Sequence, residues 1–279
     1  MSRWVLGLIT ASHPEPTMAV TAVAGLLAWG VGHPPASVAA VAGTVAASQL
    51  ATGWTNDALD ARRDAVVGRT DKPVARGLVG RRTVALAAVA AALATPLLAL
   101  TTNPVAALWA TAGLVSALLY DWPLKSTPFS VLPYAFSFGT LPAFVVLALP
   151  GAPAPPLWLV GAAACLGAGA HFANVLPDLA DDARTGVRGL PHRVGATGSR
   201  VAAAGLLLAA TVWLVLGPPG PPSALGLAAV LTAAVVPPLS WYAARISARP
   251  SGRGTAAFRA VLLVALIDVV LLVASGRLV

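Results

Sequence analysis

The stretch that decides the fold runs from Arg82 to Tyr120 and reads RTVALAAVAAALATPLLALTTNPVAALWATAGLVSALLY. It has no charged residue after Arg82, and the turn residues 101–104 (TTNP) divide it into two apolar segments. A helix rises about 1.5 Å per residue, so about 20 apolar residues are enough to cross the hydrocarbon core of a bilayer. The stretch therefore predicts two membrane-spanning helices joined by a tight turn.

The rest of the chain repeats this pattern. Hydrophobic residues make up 57% of the 279 residues and charged residues 10%, whereas a soluble domain has roughly 25% charged residues. Apolar stretches long enough, or nearly long enough, to span a bilayer lie at 17–31, 36–55, 82–101, 104–120, 130–149, 156–176, 199–217, 223–243 and 256–275. We therefore predict an all-α polytopic membrane protein with nine transmembrane helices, whose outer surface is solvated by lipid.

The charges predict the orientation of the chain. Short uncharged connections (31–35, 101–104, 150–156 and 217–222) alternate with longer charged ones (56–82, 121–130, 177–200 and 245–253). All of the 18 Lys and Arg residues except Arg277 fall on the charged side when Arg3, Arg200 and Arg259 are counted with the connections that they flank. The positive-inside rule then puts the N-terminus and the charged connections in the cytoplasm and the C-terminus outside the cell membrane. The basic residues form no soluble module, so we expect no nucleic acid partner despite the net charge of +8.

Two acidic segments lie on this predicted cytoplasmic side. In the first, Asn56, Asp60 and Asp64 are spaced i, i+4, i+8, and Asp57 borders the same face of a helix that continues span 2. The second repeats this spacing at the end of span 6, where we expect Pro177 to bend the helix; its members are Asn174, Asp178 and Asp182. All ten acidic residues of the chain except Asp268 lie on this side.

Repeated carboxylates at the mouth of an apolar bundle are costly unless a cation neutralises them. Mg²⁺ prefers a few carboxylate oxygens together with phosphate oxygens and water, so the two segments predict a Mg²⁺–diphosphate site if they face each other. The bland alternative is a pair of solvated loops in which the aspartates pair with neighbouring Arg side chains. Matched spacing on one side of the membrane favours the functional interpretation. The single cysteine, Cys165, excludes an internal disulfide and a multi-cysteine metal site.

Three motifs resemble the UbiA superfamily of intramembrane prenyltransferases, of the 4-hydroxybenzoate polyprenyltransferase-like type. The first segment matches the family's N-D-x-x-D-x-x-x-D pattern and continues with RTDKPVARG at 69–77, and the second matches D-x-x-x-D. The segment YDWPLK at 120–125 resembles the tyrosine-to-lysine segment that follows span 4 in the family. One departure is Lys72, where many members have Arg; a lysine keeps the charge but loses the bidentate fork.

The resemblance covers nearly the whole chain and implies one domain over 1–279, with nine helices around a central cavity that opens to lipid. It implies Mg²⁺-dependent transfer of a prenyl group from an isoprenyl diphosphate to a small-molecule acceptor, such as an aromatic compound or a quinone precursor. The metal ligands and catalytic carboxylates it implies are Asp57, Asp60, Asp64, Asp178 and Asp182, with Lys125 as a further catalytic residue. The substrate-binding residues it implies are Asn56, Arg63, Lys72, Tyr120 and Asn174.

Other functions stay open at this point. Some relatives cyclise the prenyl diphosphate without an acceptor, which makes a terpene cyclase the nearest alternative. A transporter with a cation site is another, because Asp268 lies inside span 9 and an intramembrane carboxyl is often functional. The bland interpretation of Asp268 is a carboxyl that hydrogen-bonds to a neighbouring helix, and the bland interpretation of His171 in span 6 is a satisfied interior histidine.

Overall fold

The computed structural model describes residues 3–246, 256–274 and 276, and this part of the chain is helical with no strand. The helices are α1 (Arg3–Ala11), α2 (Pro14–Gly30), α3 (Pro35–Val66), α4 (Arg81–Leu100), α5 (Pro104–Asp121), α6 (Val131–Leu147), α7 (Leu157–Val175), α8 (Leu179–Arg184), α9 (Leu190–Leu216), α10 (Ala224–Ile246) and α11 (Ala256–Ala274). Two short 3₁₀ turns, Leu124–Ser126 and Leu176–Asp178, complete the order.

Each of the nine predicted spans coincides with a helix, which confirms the all-α membrane architecture. Five helical stretches are long and apolar enough to cross a bilayer, namely Pro35–Val66, Arg81–Leu100, Pro104–Asp121, Leu157–Arg184 and Leu190–Leu216. Shorter apolar helices are Val131–Leu147, Ala224–Leu239 and Val261–Ala274. The count of nine spans stays a prediction. Most of the predicted connection 245–253, and Arg277, lie outside the described residues.

Helix α4 shows how the helices meet both protein and lipid. Its buried face carries small residues, among them Ala88, Ala91 and Thr95. Its outer face exposes leucines, of which Leu93 and Leu97 are 62% and 65% exposed. Small buried residues and large exposed apolar ones are typical of a membrane helix, because lipid solvates the outer face and close backbone approach holds the inner one.

Two compact units divide the chain. The first contains the residues up to Leu124 together with Ala143–Ala154, and α3 packs in it against α2, α4 and α5. The entry segment, which comprises residues 3–13 before α2, is held against α3 because Trp54 Nε1 donates to Leu8 O at 2.9 Å. One residue earlier, Gly53 lies so close to the entry segment that a Cβ atom on it would be 2.8 Å from Ser12 O.

The second unit contains Lys125–Pro142 and the residues from Pro155 onward, and α7 packs in it against α9 and α11. Helix α7 also lies close to the first part of α6, because a Cβ on Gly167 would be 2.5 Å from Tyr134 O. Thr211 Oγ1 donates to Asp268 Oδ2 at 2.8 Å, and Asp268 is buried. The bland interpretation of Asp268 is therefore confirmed: its carboxyl accepts a hydrogen bond from a neighbouring helix.

The second acidic segment departs from a continuous helix. Helix α7 ends at Val175, the 3₁₀ turn Leu176–Asp178 follows, and α8 begins at Leu179. The bend expected at Pro177 is thus confirmed, since proline has no N–H to continue the helical hydrogen bonds. Span 7 was predicted from 199, and the helix that contains it begins earlier: α9 starts at Leu190 and turns at Gly195, whose φ is 72°.

Candidate functional site

The first acidic segment lies on the last turns of α3, which continues as a helix beyond the apolar span. Asp57, Asp60 and Asp64 are 1%, 6% and 2% exposed. The helical spacing predicted from the sequence is confirmed, and it places three buried carboxylates along about two turns of one helix. A buried carboxylate needs paired cations or hydrogen bonds, so their partners indicate what the segment can bind.

Asp57 is held by two basic side chains from outside α3. Lys72 Nζ donates to Asp57 Oδ1 at 2.6 Å. His13 Nε2 lies 3.0 Å from the same oxygen and 3.1 Å from Lys72 Nζ. Lys72 follows α3 in the chain, whereas His13 lies between α1 and α2, so this contact brings two separate segments to one carboxylate.

Asp60 is held within α3 and is connected to α5. Arg63 Nη2 donates to Asp60 Oδ2 at 2.7 Å. Asn56 Nδ2 lies 3.2 Å from Asp60 Oδ2 and 3.3 Å from Asp121 Oδ1. The two hydrogens of one amide group therefore link a carboxylate of α3 to the buried carboxylate at the end of α5.

The first segment has the donor set that a hard cation requires. Asp57 Oδ2 is buried and accepts no hydrogen bond within the described part of the chain. An anionic oxygen withdrawn from water is costly, so a cation at this oxygen would relieve the cost. Carboxylate oxygens of this kind fit Mg²⁺, although no three His, Cys, Asp or Glu side chains among residues 3–246, 256–274 and 276 already form a group that could hold a metal ion.

The second acidic segment is more exposed and has different partners. Asn174 Nδ2 donates to Tyr134 Oη at 3.3 Å. His192 Nε2 lies 3.4 Å from Asp182 Oδ2, and Arg184 Nη1 donates to Asp181 Oδ1 at 3.3 Å. Asp178, the last residue of the 3₁₀ turn, is half-buried. Basic side chains thus approach Asp182 of this segment and its neighbour Asp181.

His171 lies one turn before Asn174 and is buried, with 1% exposure. Its Nε2 is 3.0 Å from Ser130 Oγ, which accepts a hydrogen bond from Leu190 N at 2.9 Å. The ring of Tyr134 packs beside it, with 5.1 Å between ring centroids. Through Nε2, His171 therefore joins the start of α6 to the start of α9, and this polar chain supports the helix that carries Asn174.

The tyrosine-to-lysine segment supplies the remaining predicted residues. Tyr120 is half-buried at the end of α5, and Lys125 is half-buried in the 3₁₀ turn Leu124–Ser126. Gly189 packs against this turn, because a Cβ on it would be 2.5 Å from Lys125 O.

Sequence reasoning did not assign a role to Asp121, Tyr134 or His192. For His13, which precedes span 1, it left open an approach to the cavity and a simple loop. The contacts of three of these residues join positions that are 40 or more apart in the sequence: His13–Asp57, Asn56–Asp121 and Asn174–Tyr134. The sequence offered only weak indications that these residues belong to the site. Asp121 directly follows Tyr120 in the segment YDWPLK, and His192 lies in the run LPHRVG at 190–195.

Comparison with known proteins gives one family. The UbiA prenyltransferase family matches residues 18–267, which is most of the chain. No curated protein sequence matches it.

Solved structures share the fold across almost the full length. A UbiA homologue from Aeropyrum pernix K1 has 21% identity and a TM-score of 0.71, with 94% of this chain and 96% of that chain covered. A UbiA homologue from Archaeoglobus fulgidus bound to DMAPP and Mg²⁺ has 12% identity and a TM-score of 0.68, with 96% and 99% covered. A structure of digeranylgeranylglyceryl phosphate synthase has 15% identity and a TM-score of 0.63, with 97% and 99% covered.

Proposed function

The chain belongs to the UbiA prenyltransferase family, and from that premise we propose that it transfers a prenyl group from an isoprenyl diphosphate to a small-molecule acceptor in the membrane. The observation that carries the proposal is the row of buried carboxylates on α3, where Asp57, Asp60 and Asp64 are each less than 7% exposed. Lys72 pairs with Asp57 and Arg63 pairs with Asp60. A Mg²⁺–diphosphate complex would supply the further positive charge that three buried carboxylates in a row favour. The A. fulgidus homologue has been solved with DMAPP and Mg²⁺ and with GPP and Mg²⁺, which supports this choice of donor and metal.

The residues proposed to hold Mg²⁺ are Asp57, Asp60, Asp64, Asp178 and Asp182. Mg²⁺, when bound, neutralises the charge that develops on the diphosphate oxygens. Asn56 and Asn174 orient the carboxylates and the diphosphate. Arg63, Lys72 and Lys125 add positive charge for the leaving group, and Tyr120 contacts the substrate.

The reaction breaks the bond between C1 of the prenyl group and the diphosphate oxygen. The electron pair leaves with the diphosphate, and the allylic cation is captured by a nucleophilic carbon of the acceptor, which then loses a proton. The chain contributes by orienting the leaving group and by enclosing the cation in apolar surroundings, because water would otherwise convert it to an alcohol.

The acceptor proposed is an aromatic compound or quinone precursor, as in the 4-hydroxybenzoate polyprenyltransferase-like type. The proposed arrangement is one domain over 1–279 with nine spans, a cytoplasmic N-terminus and an extracytoplasmic C-terminus. The positive-inside distribution of Lys and Arg supports this orientation. It also puts both acidic segments on the cytoplasmic side.

The test uses the full chain reconstituted in liposomes. Labelled dimethylallyl, geranyl, farnesyl and geranylgeranyl diphosphates are supplied with Mg²⁺, with and without 4-hydroxybenzoate, and inorganic diphosphate and prenylated products are measured. The proposal predicts Mg²⁺-dependent release of diphosphate and a prenylated acceptor. A cyclic hydrocarbon formed without acceptor would identify a terpene cyclase instead. Cation uptake into the liposomes that depends on Asp268, with no consumption of diphosphate, would identify a transporter.

A further inference from the structure

We propose that His13 is a positioning residue for the first acidic segment: together with Lys72 it holds one oxygen of Asp57, so that the other oxygen is kept for the metal ion. This inference rests on the proposed function. It assigns a role to the entry segment before α2, which none of the three family-like motifs contains.

The contacts at Asp57 are one-sided. Both basic groups approach Oδ1, with Lys72 Nζ at 2.6 Å and His13 Nε2 at 3.0 Å. Oδ2 of the same carboxylate is buried and accepts no hydrogen bond within the described residues. Two contacts on Oδ1 fix the rotation of the carboxylate group. They leave Oδ2 as the oxygen at which a further cation can bind Asp57 directly.

Both neutral tautomers of His13 preserve this arrangement. With the proton on Nε2, the ring donates to Asp57 Oδ1. With the proton on Nδ1, Nε2 instead accepts a hydrogen bond from Lys72 Nζ, which lies 3.1 Å away and can donate to both partners. Either way His13 restrains the Lys72–Asp57 pair, and Lys72 is itself a residue proposed to neutralise the diphosphate.

His13 has a left-handed backbone conformation, which neighbouring contacts must stabilise. His13 has φ 52°, in the left-handed region, which is uncommon for residues other than glycine. The support comes from α3, because Gly53 lets Ser12 O approach closely and Trp54 Nε1 donates to Leu8 O. These contacts lie one turn before Asp57 on the same helix, so they set the position from which the imidazole reaches the carboxylate.

The experiment compares His13→Leu with His13→Gln in the full chain, purified in detergent. Both variants carry the same cost of a left-handed backbone, but only glutamine retains a hydrogen-bonding group near the position of Nε2. Thr10→Ala, which removes an exposed hydroxyl that donates to Leu6 O within α1, is the matched control. Mn²⁺ affinity is measured by electron paramagnetic resonance, with and without inorganic diphosphate, and turnover of geranyl diphosphate is measured against Mg²⁺ concentration.

We expect His13→Leu to weaken Mn²⁺ binding about tenfold or more, as loss of a group behind a metal ligand commonly does. The Mg²⁺ concentration for half-maximal turnover should rise by a similar factor, while the maximal rate changes less. His13→Gln should recover most of the affinity, and Thr10→Ala should match the unaltered protein.

Equal Mn²⁺ affinity in His13→Leu, His13→Gln and the unaltered protein would overturn the role of His13 and leave the proposed function standing. Loss of Mn²⁺ affinity in His13→Leu alone, in a protein that consumes none of the prenyl diphosphates, would support the role and reject the proposed function. An unaltered protein that binds no Mn²⁺ in either condition would contradict both.

Discussion

The amide of Asn56, on α3, lies between two carboxylates, with its Nδ2 3.3 Å from Asp121 Oδ1 at the end of α5 and 3.2 Å from Asp60 Oδ2. Asp121 is 2% exposed and immediately follows Tyr120. The first acidic segment is thus tied to a second helix by a residue that the motif itself contains.

This relationship predicts an effect for Asp121→Asn. The variant keeps the shape of the side chain but removes its charge, and a hydrogen bond to a charged group is worth about 1.5–3 kcal/mol compared with about 1 kcal/mol for a neutral pair. Asn56, which contacts both Asp121 and Asp60, would then be held less firmly beside Asp60. We therefore expect the kcat/KM for prenyl diphosphate to fall about tenfold. Steady-state kinetics check this, with Thr111→Val on the same helix as control; a kcat/KM equal to that of the control would contradict it.

The second acidic segment offers a matched pair of neighbouring aspartates. Asp182 belongs to the D-x-x-x-D pattern, whereas Asp181 lies outside it and pairs with Arg184. We expect Asp182→Asn to lower turnover at least a hundredfold, since it removes a carboxylate proposed to hold Mg²⁺, and Asp181→Asn to lower it less than threefold. Initial rates of diphosphate release at saturating Mg²⁺ compare the two, and equal losses in both variants would speak against a specific role for the pattern.

Lys72 and Asp57 form a buried ion pair, which predicts a stability effect. Removing one partner of such a pair costs about 3–5 kcal/mol, because the other charge stays buried without compensation. We expect Lys72→Met to lower the thermal midpoint in detergent and EDTA, and addition of Mg²⁺ to recover part of the loss.

The control for this prediction is the double variant Lys72→Met/Asp57→Asn. With no uncompensated carboxylate at position 57, it should unfold at a higher temperature than Lys72→Met alone and should gain less stability from Mg²⁺ than that single variant does. If the fall in the thermal midpoint of the double variant equalled the sum of the falls in Lys72→Met and Asp57→Asn, the two side chains would act independently and the prediction would be contradicted.

Close packing of α7 against α6 predicts the outcome of two glycine substitutions. A Cβ on Gly167 would be 2.5 Å from Tyr134 O and 2.6 Å from Phe138 Cβ, whereas a Cβ on Gly205 of α9 would meet nothing within 4 Å. We expect Gly167→Ala to destabilise the protein and Gly205→Ala to be neutral or stabilising by about 0.5–1 kcal/mol, because alanine favours the helix. Thermal midpoints of the two variants decide this, and a midpoint for Gly167→Ala at or above that of Gly205→Ala would contradict the packing.

The helices were largely predictable from sequence, and the reason is physical. Long apolar runs without charges are stable in lipid, so hydropathy alone locates the membrane helices. The first acidic segment, with Asn56, Asp60 and Asp64, continues α3 at the predicted helical spacing. Helix α1 was not predicted because Arg3–Ala11 is too short to span a bilayer. The early start of α9 was hidden because Arg193 and the two glycines Gly195 and Gly198 interrupt any apolar run before Arg200.

The partners of the acidic residues were the least predictable part of the candidate site. The spacing within a helix fixes which side chains share a face, but nothing local to Asp57 identifies His13, which lies 44 residues earlier. Asp121 lies 65 residues after Asn56. Such contacts follow from how helices pack, and a single sequence records packing only through small residues such as Gly53 and Gly167.

The most direct test of the central claim follows inorganic diphosphate release from labelled isoprenyl diphosphates by the full chain in liposomes, with Mg²⁺ or with EDTA. The same assay is run on the double variant Asp60→Ala/Asp178→Ala, which removes one carboxylate from each acidic segment. We predict release that requires Mg²⁺ and is absent in the double variant. Release that persists in EDTA or in the double variant, or no release from any chain length, would contradict the account.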